Sequence, residues 1–307
     1  MNTKNYIAID ISKLTLQVCS CFFSGCFPYS DSGLKQLIQK VRTVDSPIVV
    51  YEATGGYERI LADTLRQNSI AGRIVNPSRI RAFAKSDGLK AKTDPIDAAL
   101  ILRFAQQKQL EPTEPPSDTE LNLKAMMNRR AQLVASITSE KNRLDKDPPC
   151  THKSIRNVIR MLEKELAIFD RDINNLVSED KQMSYRREIM SEVVGVGNIT
   201  CLTILAYMPE ITRLSRNELV AMAGLAPFNR DSGKYKGQRK IDGGRAKIRK
   251  CLYMAATTAA VHNKHIKSYV DALRSRGKPY KCAIVAAMRK LLIHLQSLLK
   301  INQFSLA

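Results

Sequence analysis

Apolar and polar positions divide the first hundred residues into short buried runs separated by turn residues. Tyr6-Ile7-Ala8-Ile9-Asp10-Ile11 predicts a buried strand with one carboxylate inside it. Ser12-Lys13 reads as a turn and residues 14–23 as a second strand. Beyond a turn region over 28–33, Leu34, Leu37, Ile38 and Val41 recur at helical spacing and predict a helix over 34–44. Residues 47–52 form another apolar run, ending in Glu52. Ala53-Thr54-Gly55-Gly56 turns the chain into a helix over 57–68, followed by a strand over 71–75 and a short basic helix from Asn76-Pro77-Ser78. Lys92-Thr93-Asp94-Pro95-Ile96-Asp97 has a capping residue, an early proline and an apolar run behind it, which predicts a further helix start. This order, β-β-(β)-α-β-α-β-α-α with the third strand optional, predicts an α/β domain over 1–115. Its mixed sheet would gather strand ends and loops on one rim, where ligands bind.

The periodicity then turns helical. Asp118 reads as the cap of a helix to Leu144, with Leu123, Met127, Val134, Ile137 and Leu144 on its apolar face. Asp147-Pro148-Pro149 breaks the chain. Ile155, Ile159, Leu162, Leu166, Phe169, Ile173 and Leu176 follow alternating steps of four and three, the seam of a coiled coil. Two long helices with a short break predict a helical hairpin over 116–190. It is either a spacer packed on itself or a dimerisation element, since a lone hairpin cannot bury both sides of such a seam. Residues 191–307 read as mainly α-helical. Val193-Val194-Gly195-Val196-Gly197-Asn198-Ile199 before an apolar helix resembles a helix-hairpin-helix start, and helices are expected over 219–225, 247–261, 266–276 and 283–299.

Charge changes this picture. The net charge is +20, and residues 191–307 hold 20 Lys and Arg against 6 Asp and Glu. An excess confined to one segment points to a polyanion, most simply nucleic acid. The densest part, Phe228 to Arg245, is almost free of apolar residues and reads as a loop or ribbon facing that polyanion. Arg230, Lys234, Lys236, Arg239, Lys240, Arg245, Lys247 and Arg249 are the candidate nucleic-acid contacts. Seven cysteines without regular spacing read as reduced thiols, with Cys19, Cys21 and Cys26 in the core rather than on a metal. His152, His262, His265 and His294 show no metal-ligand pairing. No long uncharged apolar run or signal-peptide pattern is evident, so a cytoplasmic protein without membrane contact is expected, nucleoid-associated when on DNA.

Two constellations carry chemistry. An Asp inside an apolar strand is costly unless paired or metal-bound, which singles out Asp10. Asp94 and Asp97 share a helix face at i and i+3. The plain alternative is an acidic first turn favoured by the helix dipole. With Glu52 they make four carboxylates near one rim, hard ligands suited to Mg2+ or Mn2+ and to in-line phosphoryl transfer. In the basic stretch, the Ser232 hydroxyl stands among cations able to stabilise attack on a phosphodiester, although a Ser-Gly pair there is ordinarily only a turn.

YIAIDISK, YEATGGYE and KTDPIDAALI resemble the DEDD-type transposases of one insertion-sequence group, which includes the Piv-type DNA invertases. AMAGLAP and NRDSG…GGRAKIRKCLYMAA resemble the C-terminal transposase domain of the same group. The resemblance implies a RuvC-like nuclease domain of the RNase H fold over 1–115, a dimerising coiled-coil hairpin over 116–190 and a serine transposase domain over 191–307. It further implies metal binding by Asp10, Glu52, Asp94 and Asp97, Ser232 as covalent nucleophile, and active-site halves that combine across subunits. A homo-oligomer, dimer or tetramer, and a structured non-coding guide RNA that pairs with DNA are implied as well. The function expected is a DNA transposase or site-specific recombinase. One rival is a metal-dependent RuvC-like nuclease or Holliday-junction resolvase without serine chemistry. Another is a non-catalytic nucleic-acid-binding protein, against which stands the cost of burying several unbalanced acids.

Overall fold

Strand β1 (Asn5–Ile11) is the middle of a five-stranded sheet. Beside it lie β2 (Thr15–Ser20) and β3 (Ser24–Pro28) on one flank and β4 (Pro47–Glu52) and β5 (Ala71–Val75) on the other, in the order β3-β2-β1-β4-β5. The first three strands pair antiparallel; β1, β4 and β5 pair parallel. The computed structural model describes residues 4–88, 94–113, 116–228, 231–232, 235–236 and 240–302. Its contacts separate two units, Met1–Pro116 and Ser117–Ala307.

Both faces of the sheet are covered, as parallel strands require. Ile7, Ile9, Ile11, Leu16, Val18, Val49 and Tyr51 pack with α1 (Asp31–Val41) and α2 (Glu58–Gln67). The alternate residues Tyr6, Ala8, Ile48 and Val50 pack on the other face with α3 (Pro77–Ser86) and α4 (Asp94–Lys108). A strand's period of two thus sorts one sequence into two cores.

The strand expected over 14–23 ends at Ser20, and residues 24–28 form β3, the third strand the sequence order left optional. The Ser20 hydroxyl accepts from the Phe22 and Phe23 N–H groups and donates to the Phe23 carbonyl, closing a turn before β3. Apolar Phe22 sits exposed at that turn, which is why the pattern seemed continuous. The thiol expectation is corrected too. Cys19 is half-buried, whereas Cys21 and Cys26 are exposed, because one lies past the end of β2 and the other on the edge strand.

In the second unit, α5 (Asp118–Leu144) is capped by Ser117 rather than Asp118. Ser117 Oγ accepts from the Glu120 N–H at 3.1 Å, and Glu120 accepts from the Ser117 N–H at 3.0 Å. Asp118 stands in the first turn, where the dipole favours it. Helix α6 (His152–Glu179) folds back on α5, tied by Arg130 to Asp170 at 2.6 Å and Lys141 to Glu163 at 2.7 Å. Ile155, Ile159, Ile173 and Val177 are buried, while Leu162, Leu166 and Phe169 between them are half-buried. On α5, Leu133 is buried and Val134 exposed, the reverse of the expected face.

The hairpin's Leu123, Met127, Ile173 and Val177 share one core with α7 (Lys181–Ser191), α8 (Asn198–Tyr207), α9 (Arg216–Met222), α10 (Ala246–His262), α11 (Lys264–Ser275) and α12 (Tyr280–Ile301). Gly195, at φ 100°, seats the α7–α8 turn on α10; a Cβ there would lie 2.6 Å from that of Ala259. Helix α12 is long and apolar enough to cross a membrane by length and composition alone. It is a core helix here: Ala287, Leu291, Leu292 and Leu295 are buried, and Gln296 donates to the carbonyls of Ile211 and Leu214 at 2.8 Å each.

Candidate active site

Asp10 and Glu52 reach one end of the sheet through strand register. Ile9 pairs with Tyr51 on the parallel neighbours β1 and β4, so the next residues, Asp10 and Glu52, stand side by side. By alternation both follow the face of Tyr6, Ala8, Ile48 and Val50, the face α4 covers. Both are half-buried.

Helix α4 brings a third carboxylate to the same end. Tyr6 OH donates to the Leu110 carbonyl at 2.9 Å, so the end of α4 lies at the start of β1. Gln106 Nε2 donates to Cys21 Sγ at 3.6 Å, and the Ile7–Ser20 pairing places Cys21 level with Tyr6. From that level, nine helical residues at a rise of ~1.5 Å and four strand residues at ~3.3 Å each span about 13 Å. The first walk ends at Asp97 and the second at Asp10. Asp97 is half-buried, one turn before fully buried Ile101, hence on the sheet side of the helix. Asp94 opens the helix one turn earlier; its side chain lies outside the described residues. Among the described residues, no group of three or more His, Cys, Asp or Glu side chains is closed tightly enough to hold an ion. Asp10, Glu52 and Asp97, half-buried carboxylates at a loop-rich rim, have donor chemistry that suits a hard divalent cation.

The loop after Glu52 has a brace that the sequence reading missed. Glu58 accepts from the Thr54 N–H at 3.0 Å, Thr54 Oγ1 at 2.9 Å and the Gly56 N–H at 2.8 Å. Partial burial pushes its carboxyl upward, but these bonds, Gly56 foremost, outweigh that and hold it below the usual carboxylate range. The brace is therefore present above the ordinary carboxylate pKa and is lost as pH falls through the lowered one. Tyr29 adds a second tie: its hydroxyl donates to the Tyr57 carbonyl and accepts from the Leu61 N–H at 3.1 Å. The signal for Glu58 was a Thr four residues before an acidic first-turn position.

The basic stretch is a ribbon of short strands. β6 (Pro227–Phe228) pairs antiparallel with β9 (Lys240–Ile241), and β7 (Asp231–Ser232) with β8 (Tyr235–Lys236). Ser232 pairs with Tyr235 in the backbone register. The Ser232 and Lys236 side chains, and Arg230, Lys234 and Arg239 altogether, lie outside the described residues. Lys240 is exposed. Arg245, Lys247 and Arg249 have protein partners. Arg245 donates to the Tyr207 carbonyl at 2.6 Å and pairs with Glu210, and its N–H meets the Met222 carbonyl at 2.7 Å. Lys247 donates to Tyr207 OH at 2.9 Å and to Asn128 Oδ1, and Arg249 donates to the Gly243 carbonyl. Gly224 and Gly244 complete this anchor, for a Cβ on Gly244 would stand 2.1 Å from the Gly224 nitrogen. These contacts fix the base of the ribbon on α9 and α10.

Comparison with known proteins agrees with a chemistry of DNA strands. Residues 7–146 match a family model described as transposase, and residues 187–271 match the model of the transposase IS116/IS110/IS902 family. The chain is 28% identical, over 94% of each chain, to the pilin gene-inverting proteins of Moraxella lacunata and of Moraxella bovis. It is 29% identical over 152 residues, 47% of this chain and 37% of the other, to the insertion element IS900 uncharacterized 42 kDa protein of Mycobacterium paratuberculosis. The protein is thus a DNA-rearranging enzyme. It belongs to the IS116/IS110/IS902 family of transposases.

The anchor contacts separate two kinds of basic residue by experiment. Lys240→Glu should lower the log–log salt slope of nucleic-acid binding by about one and leave the melting temperature unchanged. Arg245→Glu should lower the melting temperature, because it sets a second carboxylate beside Glu210. Binding isotherms at several salt concentrations, with thermal melts of both variants, check this pair of outcomes.

Proposed function

We propose that this transposase cuts and rejoins DNA with two sets of residues: a metal-binding quartet of Asp10, Glu52, Asp94 and Asp97, and the nucleophile Ser232. The observation that carries the quartet is the return of the α4 N-terminus to the sheet end where Asp10 and Glu52 stand. The sheet order, three antiparallel strands and two parallel ones with helices on both faces, supports a RuvC-like domain of the RNase H fold. Bound Mg2+ or Mn2+ would supply Lewis-acid stabilisation of the phosphoryl group. The protein's own part is to hold the carboxylates at one end of a rigid sheet and to present Ser232 on an anchored ribbon.

In the covalent step, Ser232 Oγ gives up its proton and bonds to phosphorus while the bond to one DNA hydroxyl breaks, that oxygen taking up a proton. Attack by another DNA hydroxyl then reverses the step and frees the serine, conserving the ester. The charge of residues 191–307 supports contact with DNA and with an element-encoded guide RNA. Half-buried Leu162, Leu166 and Phe169 beside exposed Met161 and Ile168 support pairing of the α5–α6 hairpin with a second copy, as dimer or tetramer. A chelator should abolish strand cutting, and added Mg2+ or Mn2+ should restore it. Cutting that persists at full rate in excess chelator overturns the metal reading.

A further inference from the structure

The sheet end that carries Asp10 and Glu52 also carries an exposed apolar and cationic rim that the carboxylate chemistry leaves unused. Leu14, in the β1–β2 turn, is 74% exposed; Tyr57 and Ile60, at the start of α2, are 48% and 57% exposed. Tyr57 and Ile60 are spaced i, i+3, so these two exposed side chains fall on one side of the helix start. Lys13 and Arg59, beside them in sequence, are exposed, and among the described residues neither forms an ion pair.

These segments are held together rather than loose. The Tyr29 backbone N–H donates to the Leu14 carbonyl at 2.7 Å, while the hydroxyl of the same residue donates to the Tyr57 carbonyl. One tyrosine therefore spans the two halves of the rim. Glu58 braces the Thr54–Gly56 turn that links Tyr57 to Glu52. A hydrophobic surface fixed on a rigid frame costs solvation and is kept where something covers it. Its neighbour is a site for DNA phosphodiesters, and aromatic surface interleaved with unpaired cations is what an unpaired nucleic-acid strand binds: bases stack, and phosphates meet Lys and Arg. A fully paired duplex hides its base faces and gains nothing from Tyr57.

We propose that this rim grips an unpaired stretch of the DNA strand beside the scissile phosphate, with Tyr57 stacking a base against Leu14 and Ile60, and Lys13 and Arg59 taking the flanking phosphates. Tyr57 is thus a positioning residue, and the proposal rests on the carboxylate end being the cutting site. The full-length protein is titrated with labelled duplexes of one length, perfectly paired or with a short single-stranded gap. Wild type should favour the gapped duplex. Tyr57→Ala should shrink that preference by roughly five- to a hundredfold, the range for loss of one stacked base, and Tyr57→Phe should keep it. Using the ratio of the two affinities cancels binding by the basic ribbon. A 2-aminopurine in the gap should be quenched by wild type and Tyr57→Phe and stay bright with Tyr57→Ala. Leu14→Ser, at an exposed turn, should lower the ratio without changing the melting temperature, which guards against a misfolded Tyr57→Ala. An unchanged ratio in a folded Tyr57→Ala overturns the proposal, as does a preference seen only with gapped RNA. Glu52→Ala should retain the gap preference; if it also cuts at the wild-type rate, the cutting-site reading fails instead.

Discussion

Ser232→Ala is expected to yield no covalent protein–DNA adduct where the wild-type protein, stalled before rejoining, yields one. A recombinase must keep the energy of each broken phosphodiester, and a serine ester keeps it, whereas hydrolysis by water discards it. Denaturing gels of the stalled reaction should show the adduct, and peptide mapping should place it on Ser232. The variant should lose recombination by at least roughly 10⁴-fold, in line with other covalent nucleophiles, and should still bind DNA. Binding survives because the ribbon is anchored elsewhere, through Arg245 to Tyr207 and Glu210 and through the Gly224–Gly244 crossing. Free cleaved ends without an adduct, made equally by wild type and Ser232→Ala, would sink the serine reading and favour a metal-dependent nuclease.

What was legible in the sequence, and what was not, divides along physical lines. Strands β4 and β5 and helix α2 fall where the apolar runs put them, because each is bounded by Pro, Gly or Asn punctuation. Strand β3 was expected only as an optional strand without bounds, because its turn is made by the Ser20 side chain and carries apolar Phe22, so no polar break marks it. The burial of α5 was off by one residue, at Leu133 instead of Val134. Long helices accumulate such drift between spacing and facing, since 3.6 residues per turn does not divide a seven-residue repeat evenly. Asp10 stood out from its own strand, but that Glu52 and Asp97 come to the same sheet end depends on register and on the direction of α4. Those are set by the Ile9–Tyr51 pairing and the Tyr6–Leu110 and Gln106–Cys21 contacts, all long in sequence. The structural work of Arg245 was hidden for the same reason: its partners lie some 35 to 38 positions away. Charge composition cannot tell a cation that meets phosphate from one that meets a carbonyl.

The carboxylate quartet makes the second large prediction. Asp10→Asn, Glu52→Gln, Asp94→Asn and Asp97→Asn should each lower strand cutting beyond the roughly ten- to hundredfold that outer-shell partners of a metal cost. A structural role would move stability instead, and the sign of that change separates the two. In the proposed quartet, carboxylates close enough to share an ion repel one another whatever else each contacts, so removing one charge should raise the melting temperature in chelator. The same substitution weakens ion binding, so the rise in melting temperature on adding Mg2+, which follows the ion's affinity for the folded state, should shrink. Thermal melts with chelator and with Mg2+ thus give two shifts of opposite sense for each variant, independent of any DNA. Asp10 and Asp97 are the most informative pair, because one comes from β1 and the other from α4, and a shared ion would couple them. Their double variant should then show less loss of the Mg2+ shift than the sum of the single losses. If both singles lower the melting temperature in chelator and leave the Mg2+ shift unchanged, the two acids serve the fold and the metal reading of this sheet end is wrong.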